Sequence, residues 1–224
     1  MTSNSGRHMI SRRVLITGES KGIGHALAVR LADAGHRPVG MARTAPGDFP
    51  GEFHTVDGVV DNVALVRPAM LGSVDLDHLV DVYDVNVRVA VQVTQAALPA
   101  MTAQGWGRII NVTSMVTVGK SDRTSYRAAK AALEFCSRAW AGELATTGVT
   151  VNSMAPGPTE TELFRGINPP GSAGEARYLS GVPMGRFGRP SEMAAAIFFL
   201  LSEEAGFITG QTLRVDGGGS VAVA

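Results

Sequence analysis

Apolar residues along this chain alternate between short continuous runs and longer stretches with helical spacing. The short runs, bounded by glycine and polar residues, predict strands at 14–17, 38–42, 59–62, 108–112, 149–154 and 212–215, with a weaker one at 53–56. Helical spacing predicts helices at 23–34, 76–102 with breaks, 125–147 and 191–200. Strands alternating with helices imply an α/β fold: a single-domain, Rossmann-type, doubly wound parallel sheet with helices on both faces. The least regular stretch is 164–189, with Pro169-Pro170-Gly171 and several further glycines. A loop that long in a compact domain is more often functional than passive.

The first strand runs into Gly18-Glu19-Ser20-Lys21-Gly22-Ile23-Gly24, and a helical pattern that stops at Gly35 follows. Strand, glycine-rich turn and helix in that order are the context in which a glycine motif means dinucleotide binding. Gly18 permits the tight turn, and Gly22 and Gly24 let backbone approach a pyrophosphate. The helix N-terminus offers unpaired N–H groups and a partial positive charge to phosphates.

Further along, Tyr126 and Lys130 stand at i and i+4, so a helix projects them from one face. A lysine charge near a phenol favours the phenolate, which fits the tyrosine for general acid–base work. Ser114 lies upstream, after the strand at 108–112, and adds a hydroxyl. Together these groups can move a proton onto or off a carbonyl oxygen. A Tyr and a Lys one turn apart are common on helix surfaces, so the pair has weight only beside the glycine turn.

These motifs, in this order, resemble the short-chain dehydrogenase/reductase family, and within it the 3-oxoacyl-[acyl-carrier-protein] reductase-like members. The resemblance runs from about Ser11 to Gly219. It includes Thr17-Gly18-xxx-Gly22-Ile23-Gly24, Asn86 in Asp84-Val-Asn-Val, Asn111-Val-Thr-Ser114, Tyr126-xxx-Lys130, Pro156-Gly157-Pro-Thr159-Glu-Thr161 and Asp216-Gly-Gly. It implies interconversion of a ketone and a secondary alcohol by hydride transfer. Ser114 would hold the carbonyl oxygen and Tyr126 exchange its proton. Lys130 would lower the Tyr126 pKa and bind the nicotinamide ribose. Asn86 would hold a water linking Lys130 to solvent; the plainer reading of Asn86 is a helix amide bonded to backbone. Pro156, Gly157, Thr159 and Thr161 would border the nicotinamide or the phosphates, and Asn62 the cofactor. Thr113 is a minor rival to Ser114. The 164–189 stretch would be a mobile substrate loop, poorly ordered without ligand. The resemblance also implies a homodimer or homotetramer built on the helix after Tyr126 and the long helix before it.

The second strand ends without the acid that NAD-selective sheets place there. Arg43 can present a guanidinium fork to a 2′-phosphate, and Lys21 adds a charge inside the turn, so NADP(H) is expected over NAD(H).

One stretch departs from the family. Residues 53–57 look like its third strand, whose closing Asp meets the adenine, and Asp57 onward looks like its fourth. Parallel strands need a crossover of about a dozen residues or more, and none is present. The third strand is absent and the sheet smaller, or the chain was truncated in evolution, or a segment is missing from the sequence as read; the intact flanks favour the last. In addition, Asp61-Asn62-Val63-Ala64 stands where the family has Asn-Asn-Ala-Gly. These departures support a second function class, a dinucleotide-binding sensor or scaffold with little catalysis.

Composition narrows the partners. With 20 basic and 20 acidic residues, the 224-residue chain gives no electrostatic reason to bind nucleic acid or an anionic membrane. No apolar run approaches a membrane span. The start, 1–10, is polar and tag-like, without a signal-peptide core, so a cytoplasmic location is expected. Cys136, the single cysteine, reads as a buried apolar filler. His25, His54 and His78 lack ligand spacing, and no metal site is expected. The substrate is a small carbonyl or alcohol whose identity these residues leave open.

Overall fold

The computed structural model describes residues 10–41, 51–118 and 123–221. Six parallel strands form one sheet in the order β2-β1-β3-β4-β5-β6. They are β1 (Arg13–Thr17), β2 (Arg37–Met41), β3 (Gly58–Asp61), β4 (Gly107–Val112), β5 (Val149–Pro156) and β6 (Thr212–Val215). Every residue of β3 and β4 is buried, as parallel strands covered on both faces must be. On one face lie α1 (Gly22–Asp33) and α7 (Pro190–Leu201), and on the other α3 (Val89–Gln104) and α4 (Thr124–Leu144). The two-residue period of β1 divides its side chains between these layers. Val14 and Ile16 join Leu27, Leu31 and Ile197, whereas Leu15 joins Val93, Met101 and Ala141.

Because β2 and β3 flank β1 on opposite sides, strand order reverses there. That reversal opens the crevice of a doubly wound sheet at the C-terminal ends of β1 and β3. Two glycines fit their places by conformation: Gly35 ends α1 at φ 79° and Gly105 ends α3 at φ 68°.

The strand expected at 53–56 does not form. Gly51–Thr55 is a single 3₁₀ turn, and Phe53 and Val56, 3% and 1% exposed, plug into the core. His54 Nδ1 lies 3.0 Å from the Ala96 carbonyl oxygen of α3. One turn therefore fills the space beneath α3, and among the described residues the sheet is one strand smaller than the family pattern. The chain passes directly through Asp57 into β3. The Asp57 carboxylate accepts a hydrogen bond from Arg13 N–H at 2.7 Å and stands 3.6 Å from the Arg12 guanidinium. Its backbone bonds Arg13 and Arg108. All of these lie at the strands' N-terminal ends, opposite the crevice, so Asp57 does not stand where an adenine would be met. With no third strand to close, it opens β3 instead.

The helix expected at 76–102 breaks into α2 (Leu76–Tyr83), a π-helical segment Asp84–Arg88, and α3. Asp75 caps α2, its side chain accepting from Asp77 and His78 N–H. The irregular 164–189 stretch carries helical turns that its composition did not predict. It contains α5 (Glu162–Ile167) and α6 (Ala173–Leu179), capped by the side chains of Thr161 and Ser172. Arg165 of α5 pairs with Glu175 of α6 and with Glu160.

Candidate active site

The glycine turn leaves β1 with Gly18 at φ 69° and Gly22 at φ 56°, a region that side chains avoid. Gly24 is constrained by space instead: a Cβ there would stand 2.5 Å from Gly18 O and 2.7 Å from Asn62 Nδ2. Asn62 holds the turn from β3, donating from Nδ2 to Thr17 O at 3.0 Å and to Gly18 O at 3.2 Å. Thr17 Oγ1 accepts from the backbone of both Asn62 and Val63. The α1 N-terminus begins at Lys21 with no side-chain cap, and Ser20 and Lys21 are exposed. Its first N–H groups are therefore available to an anion. A bare, positively polarised turn without side chains over it fits the pyrophosphate of a dinucleotide.

Ser114 follows β4 and Tyr126 opens α4. Both line a cleft of about 160 Å³ with Ile23, Pro156, Gly157, Thr159 and Thr161. Pro156–Gly157 leaves β5 beside Asp216, where a Cβ on Gly157 would stand 2.6 Å from Asp216 Cα. Thr161 lines the cleft, its methyl packing toward Gly22 while its hydroxyl caps α5. Thr159 donates to Gly157 O at 2.9 Å, which spends its proton inside the turn. The rest of the wall is mostly apolar, with Val66, Met115, Val116, Leu163, Phe164 and Ile167, and carries Arg123, Asn168 and Tyr178. Thr113 turns away, its hydroxyl directed at Met154 O, so Ser114 is the hydroxyl that reaches the cleft.

Burial holds the Tyr126 phenol above its ordinary value, and Ser114 and then Arg123 pull it back only in part, so the expected lowering is not reached. Lys130 lies one turn further along α4. Its Nζ donates to Val112 O at 2.8 Å and lies 5.8 Å from the centroid of the Tyr126 ring. Arg123, which the sequence reading missed, lines the same cleft and pulls the phenol down. Lys130 itself is 1% exposed, and burial pulls its ammonium down.

Asn86 lies in the π-helical segment, 2% exposed. Its Nδ2 donates to Leu65 O at 2.9 Å and to Val82 O at 2.8 Å, so the backbone-bonded reading holds for the amide nitrogen. Its Oδ1 is buried without a partner. Glu19 was also missed: its side chain lies over Gly40 of β2, in the space a Cβ would occupy, beside the strand end where no acid was expected. Arg43 lies outside the described residues. Leu133 is buried, Phe135 is 65% exposed, and Cys136 is half-buried with its thiol pushed up by burial. His25, His54 and His78 are exposed. Among the described residues no acidic, histidine or cysteine cluster could hold a metal, and no helix is long and apolar enough to cross a membrane.

A family model described as enoyl-(acyl carrier protein) reductase matches residues 44–220. The 3-oxoacyl-[acyl-carrier-protein] reductase FabG of Vibrio cholerae serotype O1 is 35% identical over 235 aligned positions, covering 91% of this chain and 95% of that protein. The Escherichia coli K12 protein of the same name matches equally well, at 35% with the same coverage. That alignment is longer than the whole 224-residue chain, so these relatives carry residues with no counterpart here. A solved short-chain dehydrogenase/reductase family protein superimposes with a TM-score of 0.84 at 31% identity, over 94% of this chain and 98% of that one. An Agrobacterium tumefaciens protein, assigned as a 2-deoxy-d-gluconate 3-dehydrogenase candidate and solved with NADP bound, reaches 0.85 at 30%, over 94% and 97%. By sequence, sheet order and cleft alike, the chain belongs to the short-chain dehydrogenase/reductase family of oxidoreductases.

Proposed function

We propose that the chain interconverts a ketone and a secondary alcohol, with NADP(H) preferred over NAD(H). The observation that carries this reading is that Ser114, Tyr126 and Pro156–Gly157 line one cleft whose wall touches the glycine turn through Thr161. The bound nicotinamide supplies or accepts the hydride. Gly18, Ser20, Gly22, Ile23 and Gly24 would seat the pyrophosphate, with Asn62 fixing the turn. Ser114 donates a hydrogen bond to the substrate oxygen and orients it. Tyr126 delivers the proton as the carbonyl is reduced, or takes it in the reverse direction. Arg123 and Ser114 favour the phenolate, and a cofactor ribose would fall to Lys130. The apolar wall from Val66 to Ile167 suits a ketone carrying an aliphatic arm, in keeping with the acyl substrates in the relatives' names.

Lys21 in the turn, Arg43 after β2 and the NADP in the Agrobacterium relative support the cofactor preference. Glu19 works against it by placing a carboxylate beside the β2 end. A second reading, a dinucleotide-binding protein with weak catalysis, is favoured by the Asn86 amide, whose nitrogen is spent on backbone. Oxidation of NADPH against a panel of 3-ketoacyl thioesters and simple ketones separates the two. Turnover on any panel member supports the reductase; tight NADPH binding with no turnover supports the sensor.

A further inference from the structure

Beneath the cleft, β3 ends on a carboxyl with unusual surroundings. Asp61 is 3% exposed, and neither of its oxygens has a hydrogen-bond partner. Thr94 of α3 acts on it with its own hydroxyl unpartnered, and Asn111 of β4 stands beside it in register with its own Oδ1 unpartnered. An ionised carboxylate so placed would be costly unless a charge compensated it. The compensating charge is Lys130 of α4, equally buried and bonded to Val112 O, one residue past Asn111.

Among the described residues no other ionisable group acts on Asp61. Helix α3 carries no ionisable side chain, and Arg13 of β1 and Arg108 of β4 lie at the far ends of their strands. On the other side, Tyr126 shares α4 with Lys130, and Arg123 and Tyr178 act on that phenol. Among the described residues, the Asp61 carboxyl is acted on by one cation.

We propose that Asp61 is a positioning residue, the buried counter-ion that keeps the Lys130 ammonium charged beneath Tyr126. The proposal rests on the redox reading for its catalytic consequence. For the pair it rests on the burial of both groups and on their placement at the ends of the adjacent strands β3 and β4, Asp61 in register with Asn111 and Lys130 bonded to Val112 O. Burial pulls the Lys130 ammonium down and Asp61 pushes it back up. Burial pushes the Asp61 carboxyl up and Lys130 pulls it back. The two therefore titrate as a unit. Because the folded Asp61 carboxyl titrates above its unfolded value, its contribution to stability is full at acid pH. It is lost as pH rises through the folded value.

Asp61→Asn, the amide of the same shape, is the test, with two readouts. The alkaline limb of kcat/KM for ketone reduction moves to lower pH by about one unit or more, because Lys130 loses its support. Independently of activity, the urea midpoint of D61N gains on the wild type as pH rises from acid to mildly alkaline. Lys130→Met moves the wild type's alkaline loss of stability to higher pH, since the Asp61 carboxyl then lacks its cation. An unshifted limb in an active D61N overturns the proposal. So do parallel stability curves, or a K130M curve that falls at the wild-type pH. Loss of the redox reading alone leaves both stability comparisons decisive.

Discussion

At the residue scale the chemistry turns on which groups touch the Tyr126 phenol. Replacing it by phenylalanine removes the proton donor and little volume, so Tyr126→Phe lowers turnover by about 10²-fold or more. NADPH affinity, measured by fluorescence titration, stays within a few-fold. Arg123→Ala removes the cation that pulls the phenol down, so the Tyr126 pKa rises. The pH dependence of alcohol oxidation, which needs the phenolate, then moves toward higher pH. Cofactor choice is also decided by single residues. Arg43→Asp weakens NADPH far more than NADH, and Glu19→Ala strengthens NADPH selectively; equal effects on both nucleotides would remove these residues from the preference. Tyr126, Ser114 and the glycines were legible because each is tied to a fixed place after a strand or at a helix start. Arg123 and Glu19 were not, since an isolated charge in sequence carries no sign of what it faces. How the Lys130 ammonium is held was not legible for a related reason. Spacing of i to i+4 puts two side chains on one face, but Nζ reaches past the phenol to the strand backbone.

At the scale of elements, the shortened link between β2 and β3 is the feature with most consequence. Phe53 and Val56 seal a core that a strand and helix would otherwise cover. Phe53→Ala costs about 3–5 kcal/mol, read as a lowered urea midpoint, without altering residues that line the cleft. The turn after β1 is constrained differently. Gly24→Ala drives a methyl into Gly18 O and Asn62, and is expected to weaken NADPH binding together with folding stability. Strands β1, β4, β5 and β6 and helices α1, α4 and α7 followed from periodicity, because buried parallel strands and long amphipathic helices write strong patterns. The 53–56 strand was misread because a short apolar run fits a plugging turn as well as a strand. Helices α5 and α6 were missed because Pro169, Pro170 and the glycines dominate the composition. The Ser172-to-Glu175 spacing, a capping signature, was there to be used.

At the scale of the whole molecule, a sheet one strand narrower leaves β2 with a partner on one side only among the described residues. An intact mass equal to that of the 224-residue sequence fits a sheet that closes without an added segment. Phe135 of α4, exposed next to a helix that the family resemblance places at a subunit contact, argues for association. Light scattering is expected to give a dimer or tetramer, and Phe135→Glu a smaller species. Sheet order and family were readable from the order of motifs alone. Subunit contacts were not, since one chain's pattern cannot distinguish a face that meets solvent from one that meets a copy. The most direct test of the account is NADPH consumption with a 3-ketoacyl thioester, followed by nicotinamide absorbance in wild type and Tyr126→Phe, with NADPH affinity measured on both. The account predicts turnover in the wild type only and matched affinities. Equal turnover in the two proteins, or none in a wild type that binds NADPH tightly across the ketone panel, would contradict it.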